Sequence, residues 1–163
     1  MSTLRHKLMH QESEKRLHAA QLLSAASDDS DSAYLLQLIA FELLLKIVVE
    51  KVTQTNAHSH KYQDLFNSLP LEKQDEILCI AGERIGPSEL SSDYAGVLMD
   101  LGSNFVKLRY PYEKYSHMIE PDYEKVGAKW IASGANTADA DFRYHPEELF
   151  GLTFALQQVA NIC

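Results

Sequence analysis

Residues 32–53 read SAYLLQLIAFELLLKIVVEKVT. The segment is apolar almost all round, which is the pattern of a helix buried on every side. A membrane-crossing helix takes about 20 predominantly apolar residues with few or no charges. Gln37, Glu42 and Lys46 interrupt this run, so it reads as the core helix of a helical domain. Glu42, Lys46 and Glu50 recur at i, i+4 and i+8 and share one stripe. That stripe reads as solvated, or as lying at a subunit interface. A buried pair there would speak for specificity or function more than for stability.

Helical patterns extend outward from this run on both sides. Residues 3–26 carry Leu4, Leu8, Leu17, Leu22 and Leu23 among many helix formers, with a polar middle and an overhanging first half. The stretch SDDSDS ends that helix, and Asp31 or Ser30 suits the N-cap of the next. After the core helix, TQTNAHSHK is a loop and KYQDLFNSLP a short helix stopped near Pro70. LEKQDEILCIAGERIG is a helix with Ile77, Leu78, Ile80 and Ala81 inward, closed by Gly86-Pro87. Ser91 or Ser92 caps a further helix whose broad face holds Tyr94, Val97, Leu98, Leu101, Phe105 and Leu108, and which must stop near Pro111. Residues 113–144 have a poor pattern and read as an irregular loop. HPEELFGLTFALQQVANIC is a last helix with Pro146 in its first turn. No stretch alternates as a strand does. The expectation is an all-α, up-and-down bundle of about five or six helices. It forms one domain over residues 1–163, with its core over about 5–160.

Composition narrows the function. The formal charge of −8 argues against broad, sequence-independent nucleic-acid binding, which needs a wide cationic surface. It leaves room for a small basic site on an acidic body. The two cysteines, Cys79 and Cys163, make no disulfide framework and fit a reducing cytosol. The N-terminus has no apolar core of signal-peptide type. A cytoplasmic protein with no membrane association and no cofactor is expected.

Two stretches concentrate chemistry. In FVKLRYPYEKYSH, residues 105–117, cations, phenols, a carboxylate and an imidazole crowd a proline where a helix has to stop. Arg109 suits bidentate capture of a phosphate or carboxylate. His117 suits proton transfer near neutral pH. Tyr110, Tyr112 and Tyr115 offer stacking faces, and Lys107 and Lys114 add charge. The plain alternative is a helix C-terminus capped by cations, with Arg109 paired to a neighbour such as Glu113. In NAHSHKYQDLF, His58, His60 and Lys61 enter a helix whose N-terminus favours anions. No metal site is expected there, since a catalytic zinc takes three protein ligands and no second motif supplies the third.

Three pieces in order, AFELLLKIVVEK, HSHKYQDLFNSL and NFVKLRYPYE, resemble the HEPN domains over roughly residues 5–160. Those are small all-α modules with a helix of A-x-E-L-x-L-K flavour followed by a His-x-His segment. The resemblance implies a bundle that homodimerises around a cleft, and in many members a metal-independent ribonuclease of defence, toxin–antitoxin or RNA-processing type. The family's signature is Arg, four to six residues, then His. Here seven residues separate Arg109 from His117, and Pro111 lies between them. Arg143 and His145 are too close, and Arg5 and His10 fit the spacing but lie in the first helix. The resemblance therefore implies RNA or nucleotide binding at the Arg109 corner, with Arg109, Tyr112, Glu113 and His117 as the reacting set. Lys107, Tyr110, Lys114, His58, His60 and Lys61 would be binding residues. The alternative is a non-catalytic dimeric module that binds a protein partner, such as an antitoxin or regulatory chain.

Overall fold

A computed structural model describes residues 3–137 and 140–162. Cys163 and residues 138–139 of the expected loop lie outside the described residues. The fold is an all-helical bundle. Its five long helices are α1 (Leu4–Ala25), α2 (Ser32–Thr53), α4 (Leu71–Ile85), α5 (Leu90–Lys107) and α8 (Pro146–Ile162). Short α3 (Tyr62–Asn67) precedes α4. A 3-10 helix (Pro111–Tyr115), α6 (Glu120–Tyr123) and α7 (Val126–Ala132) lie between α5 and α8.

α2 forms the centre because its sequence leaves it no wet face. It packs against α1, α3, α5 and α8, burying Leu38, Phe41, Leu44, Leu45 and Val48. Phe41 meets the Tyr62 ring edge-on at 5.1 Å, and the Tyr62 hydroxyl donates to the Leu38 carbonyl at 3.2 Å. Burial drives the Tyr62 pKa far above that of a free phenol. α4 contributes Ile77 and Ala81 to the core, with Leu78 and Ile80 packed beside them, as its apolar spacing predicts.

α1 and α2 are antiparallel: Arg5, in the first turn of α1, reaches Glu50, in the last turn of α2. Here the structure overturns two expectations. The charged stripe of α2 is not solvated, since Lys46 is 8% and Glu50 5% exposed. Nor does α1 overhang with its first half, and its Leu17 and Leu23 are only half-buried. It turns His6, Met9, Ser13 and Ala20 inward and leaves Leu4, Leu8 and Leu22 exposed. The reason lies at Glu50. A buried carboxylate demands donors, and α1 presents the face that supplies Arg5 and His6.

The caps also differ from expectation. Asp31 precedes α2 without a side-chain capping bond; its Oδ1 instead accepts from the Tyr144 hydroxyl at 3.2 Å. Neither Ser91 nor Ser92 caps α5. Asp93 departs from helical geometry (φ −152°), and its Oδ1 accepts the Gly96 N–H at 2.9 Å, so the regular helix restarts there. The segment read as irregular coil contains the 3-10 helix, α6 and α7. None of the three buries a residue, which is why they leave no core-facing periodicity in the sequence.

Gly151 marks the closest approach of α8 to α4. A Cβ there would lie 2.9 Å from Ile85 Cγ2 and 3.2 Å from the Ala81 carbonyl oxygen. Gly151→Ala gains about 1 kcal/mol of helix propensity, but overpacking against a β-branched side chain and a backbone atom costs about 1–3 kcal/mol. A net loss of about 1 kcal/mol is expected in urea denaturation. A stabilised variant would show that α4 and α8 are not in tight contact.

Candidate functional site

The Pro111 corner is built where α5 runs out. Tyr110 leaves the helical region (φ −136°), and Pro111 starts the 3-10 helix. Arg109 is exposed, and its guanidinium lies over the Phe105 ring at 4.9 Å. It makes no ion pair among the described residues, so the expected pairing with Glu113 is not formed. Tyr110 and Tyr112 are more than half exposed and stand edge to face at 6.2 Å. Lys107, Glu113 and His117 are also exposed. Beside them a cavity of about 500 Å³ is lined by Pro111, Tyr112, Tyr115, Met118, Glu120 and Tyr123.

Two members of the stretch serve the fold instead. Lys114 donates to the Asp141 carbonyl at 2.7 Å, pairs with its carboxylate at 3.1 Å and lies over the Phe142 ring. The Tyr115 hydroxyl donates to Asp141 Oδ2 at 2.7 Å. Burial and that carboxylate raise the Tyr115 pKa. The same hydrogen bond, with Lys114, holds Asp141 below the usual carboxylate range against its own desolvation. This clasp ties the 3-10 helix to the segment preceding α8. Asp141 also contributes, with Met118, Asp122, Trp130, Phe142 and Tyr144, to a cavity of about 760 Å³.

The His58–His60 loop is a separate feature. Glu42 Oε1 lies 2.9 Å from Lys46 Nζ and 2.7 Å from His60 Nδ1. The buried stripe of α2 thus holds one ring nitrogen of an imidazole whose side chain is 76% exposed. His58 and Lys61 are exposed, with no ion pair among the described residues. No third metal-ligating group joins His58 and His60 among the described residues.

A third cluster went unread in the sequence. Arg143 and His145, too close together for the Arg–His signature, come to rest against α5 and its entry. Arg143 Nη2 pairs with Glu89 Oε1 at 2.5 Å and its Nη1 with Asp100 Oδ2 at 3.1 Å. His145, 8% exposed, sets Nε2 2.8 Å from Asp100 Oδ2 and Nδ1 3.4 Å from Glu89 Oε2. Asn104 fixes the same strand of chain by donating to the Arg143 carbonyl and to the Tyr34 hydroxyl. Tyr34 in turn donates to the Tyr144 carbonyl. Burial pushes the Tyr34 phenol up to about 12. His145 has φ +46°, uncommon for a residue with a side chain. No local pattern in the sequence announces the cluster, since its partners come from positions 89 and 100.

The Pro111 corner thus offers a cation on an aromatic seat, followed in the chain by two exposed tyrosine rings. The arrangement suits an anion that carries a planar group. Comparison with protein-family models, curated proteins and solved structures found no match.

Proposed function

We propose that this chain is an HEPN-like helical module, a cytoplasmic homodimer, that engages single-stranded RNA or a nucleotide at the Arg109 corner. The observation that carries the reading is Arg109 itself. Its guanidinium is exposed, seated on Phe105 and unpaired among the described residues, and the next residues in the chain include the exposed Tyr110 and Tyr112. A phosphate takes the guanidinium in a bidentate fork, and the adjoining bases stack on the tyrosines. Lys107 adds positive charge, and the Tyr112–Tyr123 cavity gives a neighbouring base a place to lie. His58, His60 and Lys61 are assigned as further binding residues on their separate loop, with one ring nitrogen of His60 held by Glu42. Lys114 supports the corner through Asp141 more than it meets a ligand.

Phosphodiester cleavage at this corner needs no metal. The 2′-hydroxyl oxygen attacks the adjacent phosphorus as His117 removes its proton, with Tyr112 or Glu113 as the substitute base. The 5′-oxygen leaves with a proton from water, and a 2′,3′-cyclic phosphate remains. Arg109 neutralises charge building on the phosphoryl oxygens. A second reading rests on the exposed leucines of α1, Leu4, Leu8 and Leu22. They suit a non-catalytic module that docks a protein partner.

The deciding experiment incubates the purified chain and Arg109→Ala with mixed-sequence single-stranded RNA in EDTA, scoring binding at two salt concentrations and analysing product ends. Salt-sensitive binding, weakened about tenfold or more in the variant, is expected. Cyclic-phosphate ends that disappear in the variant would establish the ribonuclease. Binding without cleavage would leave an RNA-binding module. Absence of binding would favour the protein-docking reading.

A further inference from the structure

We propose that Glu89, His145 and Glu148 form a binding site for a divalent transition-metal ion such as Zn2+, oriented by Asp100 and independent of the RNA reading. One donor atom from each residue lies within 4.8 Å of the other two, so modest side-chain movement closes them on an ion. The ligand set of one imidazole and two carboxylates is suited to zinc.

What distinguishes this trio from an ordinary acidic patch is that each ligand's second donor atom is already held. Glu89 Oε1 is engaged by Arg143 Nη2, which leaves Oε2 toward the histidine. Glu148 Oε1 accepts the Glu89 N–H at 3.3 Å, which leaves Oε2. His145 Nε2 is directed at Asp100 Oδ2, 2.8 Å away. That is the carboxylate–histidine arrangement that orients metal-binding imidazoles. With the proton on Nε2, the lone pair of Nδ1 faces Glu89 Oε2 across 3.4 Å. Those two atoms are spaced as two ligands of one tetrahedral ion are.

Burial and charge agree. His145 is 8% and Glu148 9% exposed, so neither is a solvated surface group. Arg143 pairs with Glu89 and Asp100, and Glu148 adds a further carboxylate that makes no ion pair among the described residues. The N-terminal end of α8 accounts for a carboxylate at 148. It does not account for a buried imidazole aligned with two further carboxylates. Three protein ligands leave a tetrahedral ion one open position. The same residues line a cavity of about 420 Å³ shared with Trp130, Phe142 and Tyr144, where a water or an anionic ligand fits that position.

The test uses the full chain stripped with EDTA and titrated with Zn2+ by calorimetry, and with Co2+ by visible absorption. About one ion per chain is expected, with a tetrahedral Co2+ spectrum. Glu148→Gln, and His145→Asn chosen because asparagine tolerates positive φ, should weaken binding at least about 100-fold. Asp100→Asn, which alters a positioning residue, should weaken it about 10- to 100-fold. The doubly substituted His58→Ala/His60→Ala chain should bind as the wild type does. Binding far below stoichiometric would overturn the proposal, since a proton then bridges His145 and Glu89 in place of a metal. So would binding untouched by Glu148→Gln, or binding lost with the two loop histidines. Melting curves establish that each variant is folded. If Glu148→Gln is not, the Co2+ spectrum of the wild type decides: an octahedral spectrum, or no bound Co2+, sinks the site.

Discussion

Phe41→Ala is expected to remove about 4 kcal/mol of stability, read as a fall in the urea midpoint with an unchanged slope. Phe41 is 1% exposed in the middle of α2, edge-on to Tyr62 and inside the core shared with α3, α5 and α8. Truncation loses the transfer free energy of the ring and leaves a void that helices on several sides cannot all collapse to fill. Phe41→Leu, which keeps most of the volume, should cost under about 1.5 kcal/mol. In a chain of this size the alanine variant should melt about 10 °C lower. A loss below about 1 kcal/mol would mean that α2 faces something other than this core, such as a lipid phase or a second chain.

Glu50→Ala should cost about 3 kcal/mol for a different reason. The Glu50 carboxylate is buried and takes hydrogen bonds from Arg5, from the Ala57 N–H at 3.1 Å and from His6 Nε2 at 3.0 Å. Removing it strands the Ala57 N–H and the His6 ring, both buried, without an acceptor. Arg5 matters less, because its side chain is 55% exposed and water replaces the lost partner. Glu50→Gln keeps one acceptor oxygen and should cost less.

The same site sets an acid dependence. Burial raises the Glu50 pKa, but the hydrogen bonds from Arg5, Ala57 and His6 outweigh it and hold the carboxyl below its ordinary value near 4.5. A carboxyl whose pKa is depressed on folding contributes stability that is fully present above its unfolded pKa and is lost as pH falls through the folded one. The stability gap between the wild type and Glu50→Gln should therefore be constant from about pH 7 to 5 and narrow below about pH 4. Arg5 stays charged throughout, so the narrowing belongs to the carboxyl. A gap that stays constant down to pH 3 would show that Glu50 is not held ionised by these partners.

The chemistry at the Pro111 corner was legible because it is local. Arg109, Tyr110, Tyr112, Glu113 and His117 fall within nine positions around a residue that must end a helix, so no long-range contact was needed to group them. Which of them are free was not legible. Asp141, 27 residues beyond Lys114, takes up that lysine and Tyr115, while Arg109 stays open on Phe105. The Glu89–Asp100–Arg143–His145 cluster could not be seen at all. Its members come from the entry of α5, its middle and the turn before α8, and no periodicity links them.

By itself the sequence determined that the chain is helical, where its long helices run, and that α2 lies at their centre. Those properties follow from propensity, helix stops and a surface on residues 32–53 that is apolar almost all round. Only the tertiary structure decided which face of each neighbour turns inward. In α1, Leu4, Leu8 and Leu22 stay outside while His6, Met9, Ser13 and Ala20 turn inward, because a buried Glu50 needs donors and an exposed leucine costs less than an unpaired buried charge.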